Sequence, residues 1–352
     1  SDAITLASDG TCTANITNRS NRNLIINGAM LVAQRGTSST SDSYATVDRF
    51  KKDSGGFSEA ITQEQVDVAS GTTPYTLGFT KALKYTNGNQ TNAGAGDYVQ
   101  IGYAPEAQDI RNSGWNYLSS SSYITLSFWV KASVAQTYQI RISSKDGTSQ
   151  GFVFEYALSA NTWTKITKTI PGNSNLQFDN DTGPGLEITF LMFIGTTYTS
   201  ASPTLDAWGA YSYLTSRKDM TSTWWTTNNA TFELTGVKLE LGSHSTDFEF
   251  RSFGQELELC KRYFYRWNSG ATADEAYFLY SGGYTSHASS AFFEHTYQPA
   301  MRSTPTATTP STSNQSGGSW SLYSTRARWI CSATESGSGA VFTSQIDFNA
   351  EM

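Results

Sequence analysis

The chain has 352 residues, 15% of them charged and 13% aromatic, with a net charge of −6. This length exceeds the usual single domain and implies two packed units. The mild charge, without a basic block, leaves phosphate neutralisation no source and excludes nucleic acid as a partner; no apolar run approaches the ~20 residues that would insert in a membrane.

Residues 1–23 hold two short alternating runs, Ile4-Thr5-Leu6 and Cys12-Thr13-Ala14-Asn15-Ile16, joined by the turn-forming Ala7-Ser8-Asp9-Gly10. One hairpin cannot bury a core alone. The segment is expected to be a shaft-like connector whose core is shared between chains, or an edge hairpin packed on the domain after it. The chain opens at Ser1 with no signal peptide, as expected of a fragment or processed form of a longer polypeptide.

Residues 24–250 form the largest unit. Leu24-Ile25-Ile26-Asn27-Gly28 predicts a strand and a turn. Tyr123 to Lys131 alternates strictly, with Ile124, Leu126, Phe128 and Val130 on one face. Tyr138 to Ile142, Phe152 to Leu158 and Leu186 to Met192 do the same. Turn chemistry separates them at Lys145-Asp146-Gly147 and Pro171-Gly172-Asn173. Many strands of period two with no long helix between them predict an antiparallel β-sandwich of two sheets. The last strand, Thr231 to Leu241, changes phase: Phe232 and Leu234 share one parity, Val237, Leu239 and Leu241 the other. A β-bulge at Thr235-Gly236 keeps both halves on one core.

Residues 251–352 begin with an amphipathic helix from Arg251 to Phe264 and continue as a smaller β domain. Its predicted strands are Tyr277 to Tyr280, Ala291 to Tyr297 and Ala327 to Ala333. The Ser/Thr/Gly-rich tract from Thr306 to Ser319 predicts a loop or connector. Large aliphatic residues are few, so burial between three chains would complete this core.

Two resemblances lie on these landmarks. Asn23-Leu24-Ile25-Ile26-Asn27-Gly28-Ala29-Met30-Leu31-Val32-Ala33-Gln34-Arg35-Gly36, then Tyr44, Asp48, Arg49 and Phe50, resembles a module of bacteriophage tail-fibre and other virion appendage proteins. The helix Arg251-Ser252-Phe253-Gly254-Gln255-Glu256-Leu257-Glu258-Leu259-Cys260-Lys261-Arg262-Tyr263 and the element Pro299-Ala300-Met301-Arg302-Ser303-Thr304-Pro305-Thr306 resemble the same family, in the same order. Within residues 23–242, Ser127-Phe128-Trp129-Val130-Lys131-Ala132, Asn161-Thr162-Trp163-Thr164-Lys165-Ile166-Thr167 and Phe232-Glu233-Leu234-Thr235-Gly236-Val237 are similar to the jelly roll of carbohydrate-binding modules. Many such modules hold a structural calcium. Here Ala29-Met30-Leu31 and Thr235-Gly236 stand where acidic ligands would be, and calcium needs carboxylates. The Asp48-Arg49 pair is expected to be structural, a charge-assisted hydrogen bond holding its loop on the sandwich.

Chemistry-bearing residues are sparse. Cys12, Cys260 and Cys331 are far apart, with no clustered partners among His244, His287 and His295, so no metal and no cofactor is expected. Free buried thiols are expected, a Cys260–Cys331 bridge being the alternative. Asp247, Glu249, Glu256 and Glu258 are near one another, but Glu256 favours a helix N-terminus and Glu258, two residues on, cannot face it. No catalytic residues are expected, and the chain is read as no enzyme. Loop aromatics remain as candidate glycan-binding residues: Trp115, Tyr117, Trp208, Tyr211, Trp224 and Trp225, with Tyr213 beside them. A sugar's C–H face stacks on such rings while its hydroxyls bond neighbouring polar groups. The alternative is that they cap the sandwich ends or pack between chains. Trp129 and Trp163, opposite in parity to the core residues, are expected on an outer sheet face, open to solvent or covered by a neighbouring chain.

The expected function is a non-catalytic virion appendage protein, a tail-fibre end that binds a host surface polysaccharide or lipopolysaccharide. It would be a homotrimer, joined to other virion proteins at its N-terminal end, assembled in the bacterial cytoplasm and acting outside it. A capsid-attached fibre, knob or decoration protein with a structural jelly roll is the alternative. A carbohydrate-binding module of a secreted enzyme is the second.

Overall fold

Alternating side chains build a sandwich of two sheets. The computed structural model describes residues 23–267, 291–308, 320–333 and 346–352, and short strands at 4–6, 12–14, 312–313 and 341–342. The sandwich strands are β1 (Ser38–Ser39), β2 (Lys51–Gly55), β3 (Thr62–Asp67), β4 (Lys81–Thr86), β5 (Tyr98–Tyr103) and β6 (Tyr123–Ala132). They continue with β7 (Gln136–Ser144), β8 (Gln150–Leu158), β9 (Thr164–Pro171), β10 (Leu186–Ile194), β11 (Trp208–Ala210) and β12 (Thr231–Leu241). The first sheet has the order β11-β8-β7-β10-β5-β2 and the second β9-β6-β12-β4-β3-β1. Paired neighbours are antiparallel throughout, as in a jelly roll.

The core lies between the sheets. Tyr138, Ile140 and Ile142 of β7, Phe152, Phe154 and Tyr156 of β8, and Ile188, Phe190 and Met192 of β10 face Ile124, Leu126, Phe128 and Val130 of β6. Phe128 meets Phe190 edge-on, ring centroids 5.2 Å apart, the geometry that aromatic quadrupoles favour. Burying one such side chain stabilises the fold by about 1.5–3 kcal/mol. In β12 the register against β6 shifts between Thr235 and Lys238. Gly236 takes φ +62° there, which needs no side chain. Phe232, Leu234, Val237 and Leu239 are all buried in the same core as a result.

Two expectations require correction. Leu24 to Gly28 is not a ladder strand. Asn23 fastens this segment to β12 by accepting from the Leu239 backbone N–H (3.0 Å) and donating to the Val237 carbonyl (3.2 Å). Asn27 and Met30 then take positive φ, so the chain turns where a ladder would continue. Nor do Asp48 and Arg49 pair with each other. Asp48 accepts from the Gln34 backbone and lies 3.6 Å from Arg35. Arg49 pairs with Glu351, donates to the Ala104 carbonyl at 2.6 Å and lies over the Tyr263 ring. Adjacent residues on this turn point apart, and each is held by a different segment.

The Phe253–Lys261 helix starts with a capping box, Ser252 and Gln255 each accepting from the other's backbone N–H. Glu256 lies in the first turn of the helix, as expected, and is buried there. It accepts from the Asn27 backbone N–H and lies 3.4 Å from Arg251. Glu258 instead bonds Lys261 on the exposed side. Cys260 is a buried free thiol, its pKa pushed up by burial. Arg262 grips Glu106 with two bonds of 2.7 Å, and the Tyr263 hydroxyl donates to the same carboxylate. The strand Phe264–Trp267 then pairs with Ile346–Asn349, beside Thr306–Ala307. Tyr297, Met301, Ile346, Phe348 and Ala350 form a small core there. Arg302 donates to the Ala350, Glu351 and Thr182 carbonyls.

Strands Ala291–Thr296, Trp320–Ser324 and Arg328–Ala333 make a separate antiparallel sheet. Ile4–Leu6 pairs antiparallel with Cys12–Ala14. The strand expected at Tyr277 to Tyr280 and the residues around His287 lie outside the described residues, as does the Cys331 side chain.

Candidate functional site

Alternation along the first sheet leaves a second set of side chains facing away from the core. One row across the strands reads Val153, Arg141, Thr189, Gly102 and Lys51, and the next Glu155, Gln139, Leu191, Gln100 and Asp53. Such outward rows normally meet water. Here the segment Thr196 to Met220 lies across them. Gln139 exchanges side-chain hydrogen bonds with the Lys218 backbone at 2.8 and 3.2 Å. The Lys218 ammonium lies 3.0 Å from Glu155. The Tyr211 ring packs on Gly151, where a Cβ would come within 3.0 Å of it.

Arg141 stands at the centre. It donates to Glu187 (2.6 Å), to the Thr189 hydroxyl (2.5 Å) and to the Tyr211 hydroxyl. Lys145 shares Glu187 at 2.7 Å. Arg217, from the covering segment, donates to the same Tyr211 hydroxyl at 3.3 Å and to the Tyr213 carbonyl at 3.1 Å. Beside them Asp53 accepts from Gln100 (2.7 Å) and Tyr98 (3.2 Å), and Tyr198 meets the Tyr98 ring edge-on.

Polar satisfaction is incomplete on this face. Gln100 Oε1, Arg141 Nε, Ser143 Oγ and Arg217 Nε are buried without a hydrogen-bond partner. Unmade hydrogen bonds of buried groups cost about 1–3 kcal/mol each, so a cluster of them marks a place built for more than stability. A Cβ at Gly102 would be in ordinary contact with Lys51, at 3.9 Å. Burial alone would raise the Glu187 pKa, but Arg141 and Lys145 outweigh it and the carboxyl titrates below its usual range. Burial and the Arg141 charge push the Arg217 guanidinium down to about 10.

The six aromatic candidates do not form one face. Trp224 and Trp225 are fully buried and Trp115 is 4% exposed. Each indole N–H ends on a backbone carbonyl: Thr231 for Trp224, Asn92 for Trp225 and Ser122 for Trp115. They are core residues, since a helical turn at Thr223–Thr226 folds the two adjacent rings inward at one end of the sandwich. Trp115 and half-buried Tyr117 cluster with Phe178 elsewhere. Trp208 packs on Phe152 and donates to the Pro171 carbonyl. Tyr211 alone of the six reaches the polar face just described, with exposed Tyr213 two residues on. Trp129 and Trp163 line the outer face of the second sheet with Phe79 and Phe248, the last from the segment after β12.

The polar face went unread in the sequence, although Gln139, Arg141 and Ser143 alternate with the core residues of β7. An arginine on a strand's solvent parity is ordinary, and only the covering segment makes it unusual. A separate open depression of about 690 Å³ lies between the sandwich and the C-terminal strands, lined by Arg35, Tyr44, Phe264, Arg266, Asp347 and Glu351. Its charges pair among themselves, Arg266 with Asp347 and Arg35 with Glu351. Among the described residues no three acidic, histidine or cysteine side chains converge as a metal centre would require.

No family model matches this chain, and no curated protein does. Several solved structures align with it. A family 16 carbohydrate-binding module is 14% identical, covering 50% of this chain and 84% of its own, with a TM-score of 0.25. The N-terminal cellulose-binding domain of Cellulomonas fimi β-1,4-glucanase C is 13% identical, covering 61% and 99%, with a TM-score of 0.29. A cyclase from Fischerella sp. TAU is 9% identical, covering 63% and 84%, with a TM-score of 0.28. With scores this low, the reading of the site rests on this chain's own residues.

Proposed function

We propose that the chain is a non-catalytic appendage protein of a phage particle, a trimeric tail-fibre end that binds a host cell-surface glycan on the outer face of its first sheet. The observation that carries the glycan reading is the cluster of unpartnered polar atoms on Gln100, Arg141, Ser143 and Arg217, flanked by Tyr98, Tyr198 and Tyr211. Hydroxyls of a sugar supply the missing partners, and the rings offer apolar faces. The virion reading is supported by the tail-fibre-like landmarks, which meet along one seam. Asn27 holds Glu256, Arg49 holds Glu351, and Arg302 holds the carbonyls beside it. In this reading the particle is assembled in the bacterial cytoplasm and the fibre works outside it.

Binding of the purified chain to bacterial polysaccharide and lipopolysaccharide preparations tests the proposal, with light scattering for the trimer. Gln100→Ala is expected to weaken binding roughly tenfold while leaving the melting temperature near that of the parent. A chain that binds no preparation, or a variant that binds unchanged, would sink the glycan reading. One observation favours the structural-spacer alternative: Trp115, Trp224 and Trp225 serve the core and offer no sugar platform.

A further inference from the structure

On the outer face of the first sheet two guanidiniums are neighbours, and only one of them makes an ion pair among the described residues. Arg141 and Lys145 both pair with Glu187. Arg217 is 5% exposed and makes no ion pair among the described residues. It shares with Arg141 a single neutral oxygen, the Tyr211 hydroxyl, and the Nε of each guanidinium lacks a partner. A buried cation with no carboxylate in contact is costly; the neighbouring Arg141 raises that cost by repulsion, and the more distant Glu187 and Asp53 offset it only in part. Guanidinium forks match the oxygens of carboxylate and sulfate groups, which supply both hydrogen bonds and charge. Tyr211 is half-buried on a surface segment in which Tyr213 and Leu214 are exposed, so its hydroxyl can yield to a stronger acceptor.

We infer that Arg141 and Arg217 form an anion receptor, and that the glycan this face takes is acidic, bearing carboxylate or sulfate groups. The Tyr211 hydroxyl holds the position of one acid oxygen, and Glu187 keeps Arg141 oriented. This inference rests on the proposed glycan site and narrows its substrate class.

The test uses the whole chain and two kinds of probe. Melting temperature is followed with inorganic sulfate against chloride at equal ionic strength. Affinity is measured for polygalacturonate, alginate and chondroitin sulfate against methyl-esterified pectin and a neutral mannan. Sulfate is expected to raise the melting temperature, as any ligand of the folded state does, and at least one acidic polymer to bind roughly tenfold tighter than the uncharged ones. Arg217→Gln should abolish both effects, while Lys218→Gln, which removes one positive charge from the same segment, should keep them. Circular dichroism on both variants shows whether they are folded. If the uncharged polymers bind as tightly as the acidic ones, or Lys218→Gln loses as much as Arg217→Gln, the anion receptor is overturned and glycan binding stands. If sulfate acts through Arg217 but no polymer binds, the site takes an adventitious ion only. The acidic-glycan inference then falls together with the glycan reading beneath it.

Discussion

The interior of the sandwich and the outer face of its first sheet are made by the same strands, residue by residue in alternation, yet they bury different kinds of polar atom. Inside, each of the three buried indoles has its N–H on a backbone carbonyl, and the rings fill the space between sheets. Outside, Arg141 and Arg217 are nearly as buried as the core rings but keep unmade bonds. Burial therefore does not separate structure from function in this chain. Charge does: the interior leaves neutral hydroxyls of Tyr85 and Tyr156 unpartnered, and the outer face leaves the Nε atoms of two neighbouring guanidiniums so.

The largest test of this contrast is Trp225→Ala. Trp225 is fully buried against Phe193, ring centroids 5.2 Å apart, and truncation should cost about 3–5 kcal/mol. Urea unfolding should show a much lower midpoint with an unchanged slope. Glycan binding of the fraction still folded should match the parent. A variant as stable as the parent would break the assignment of this residue to the core.

The two arginines should then differ from one another. Arg141→Met removes the partner of Glu187 and of the Thr189 and Tyr211 hydroxyls, and should cost about 1–3 kcal/mol; Lys145 remains to hold Glu187. Arg217→Met removes a buried charge that makes no ion pair among the described residues, and should leave stability equal or higher, by about 1 kcal/mol. Melting temperatures of the two variants compare them directly. A residue whose loss stabilises the fold while weakening binding is one kept for function. Equal losses from both would show the outer face to be ordinary structure.

The sequence made the interior legible because its signal is local. Period two in β6, β7, β8 and β10 marks the core, and the phase change at Thr235-Gly236 marks the bulge. It left Trp115, Trp224 and Trp225 open between a sugar face and caps on the sandwich ends, because rings in polar loops look exposed until a long-range fold brings a carbonyl to each N–H. The Asp48-Arg49 pair failed for the same reason: neighbours in sequence sit on a turn that sends one to Arg35 and the other to Glu351. The outer face was invisible because what distinguishes it is Thr196 to Met220 crossing it, a contact between segments far apart in the chain.

The smallest expected effect is in the pH dependence of stability, where the two regions should fail at opposite ends. In the interior, burial pushes the phenols of Tyr85 and Tyr156 above their ordinary range and that of Tyr103 up to about 12. The unfolded chain releases these protons near pH ~10 and the folded chain holds them, so their contribution is whole below that pH and is lost as pH rises toward the folded values. On the outer face Glu187 titrates below its usual range because Arg141 and Lys145 outweigh its burial. Its contribution is whole above pH ~4.5 and is lost as pH falls through the depressed value. Urea midpoints measured across the pH range should therefore show an acid limb that Glu187→Gln flattens and an alkaline limb that Tyr156→Phe flattens. Tyr156→Phe should also be neutral or stabilising near pH ~7, since the hydroxyl it removes is buried without a partner. An acid limb unchanged by Glu187→Gln would mean that the Arg141–Glu187 pair adds nothing to folding. The outer face would then differ from the interior in function alone.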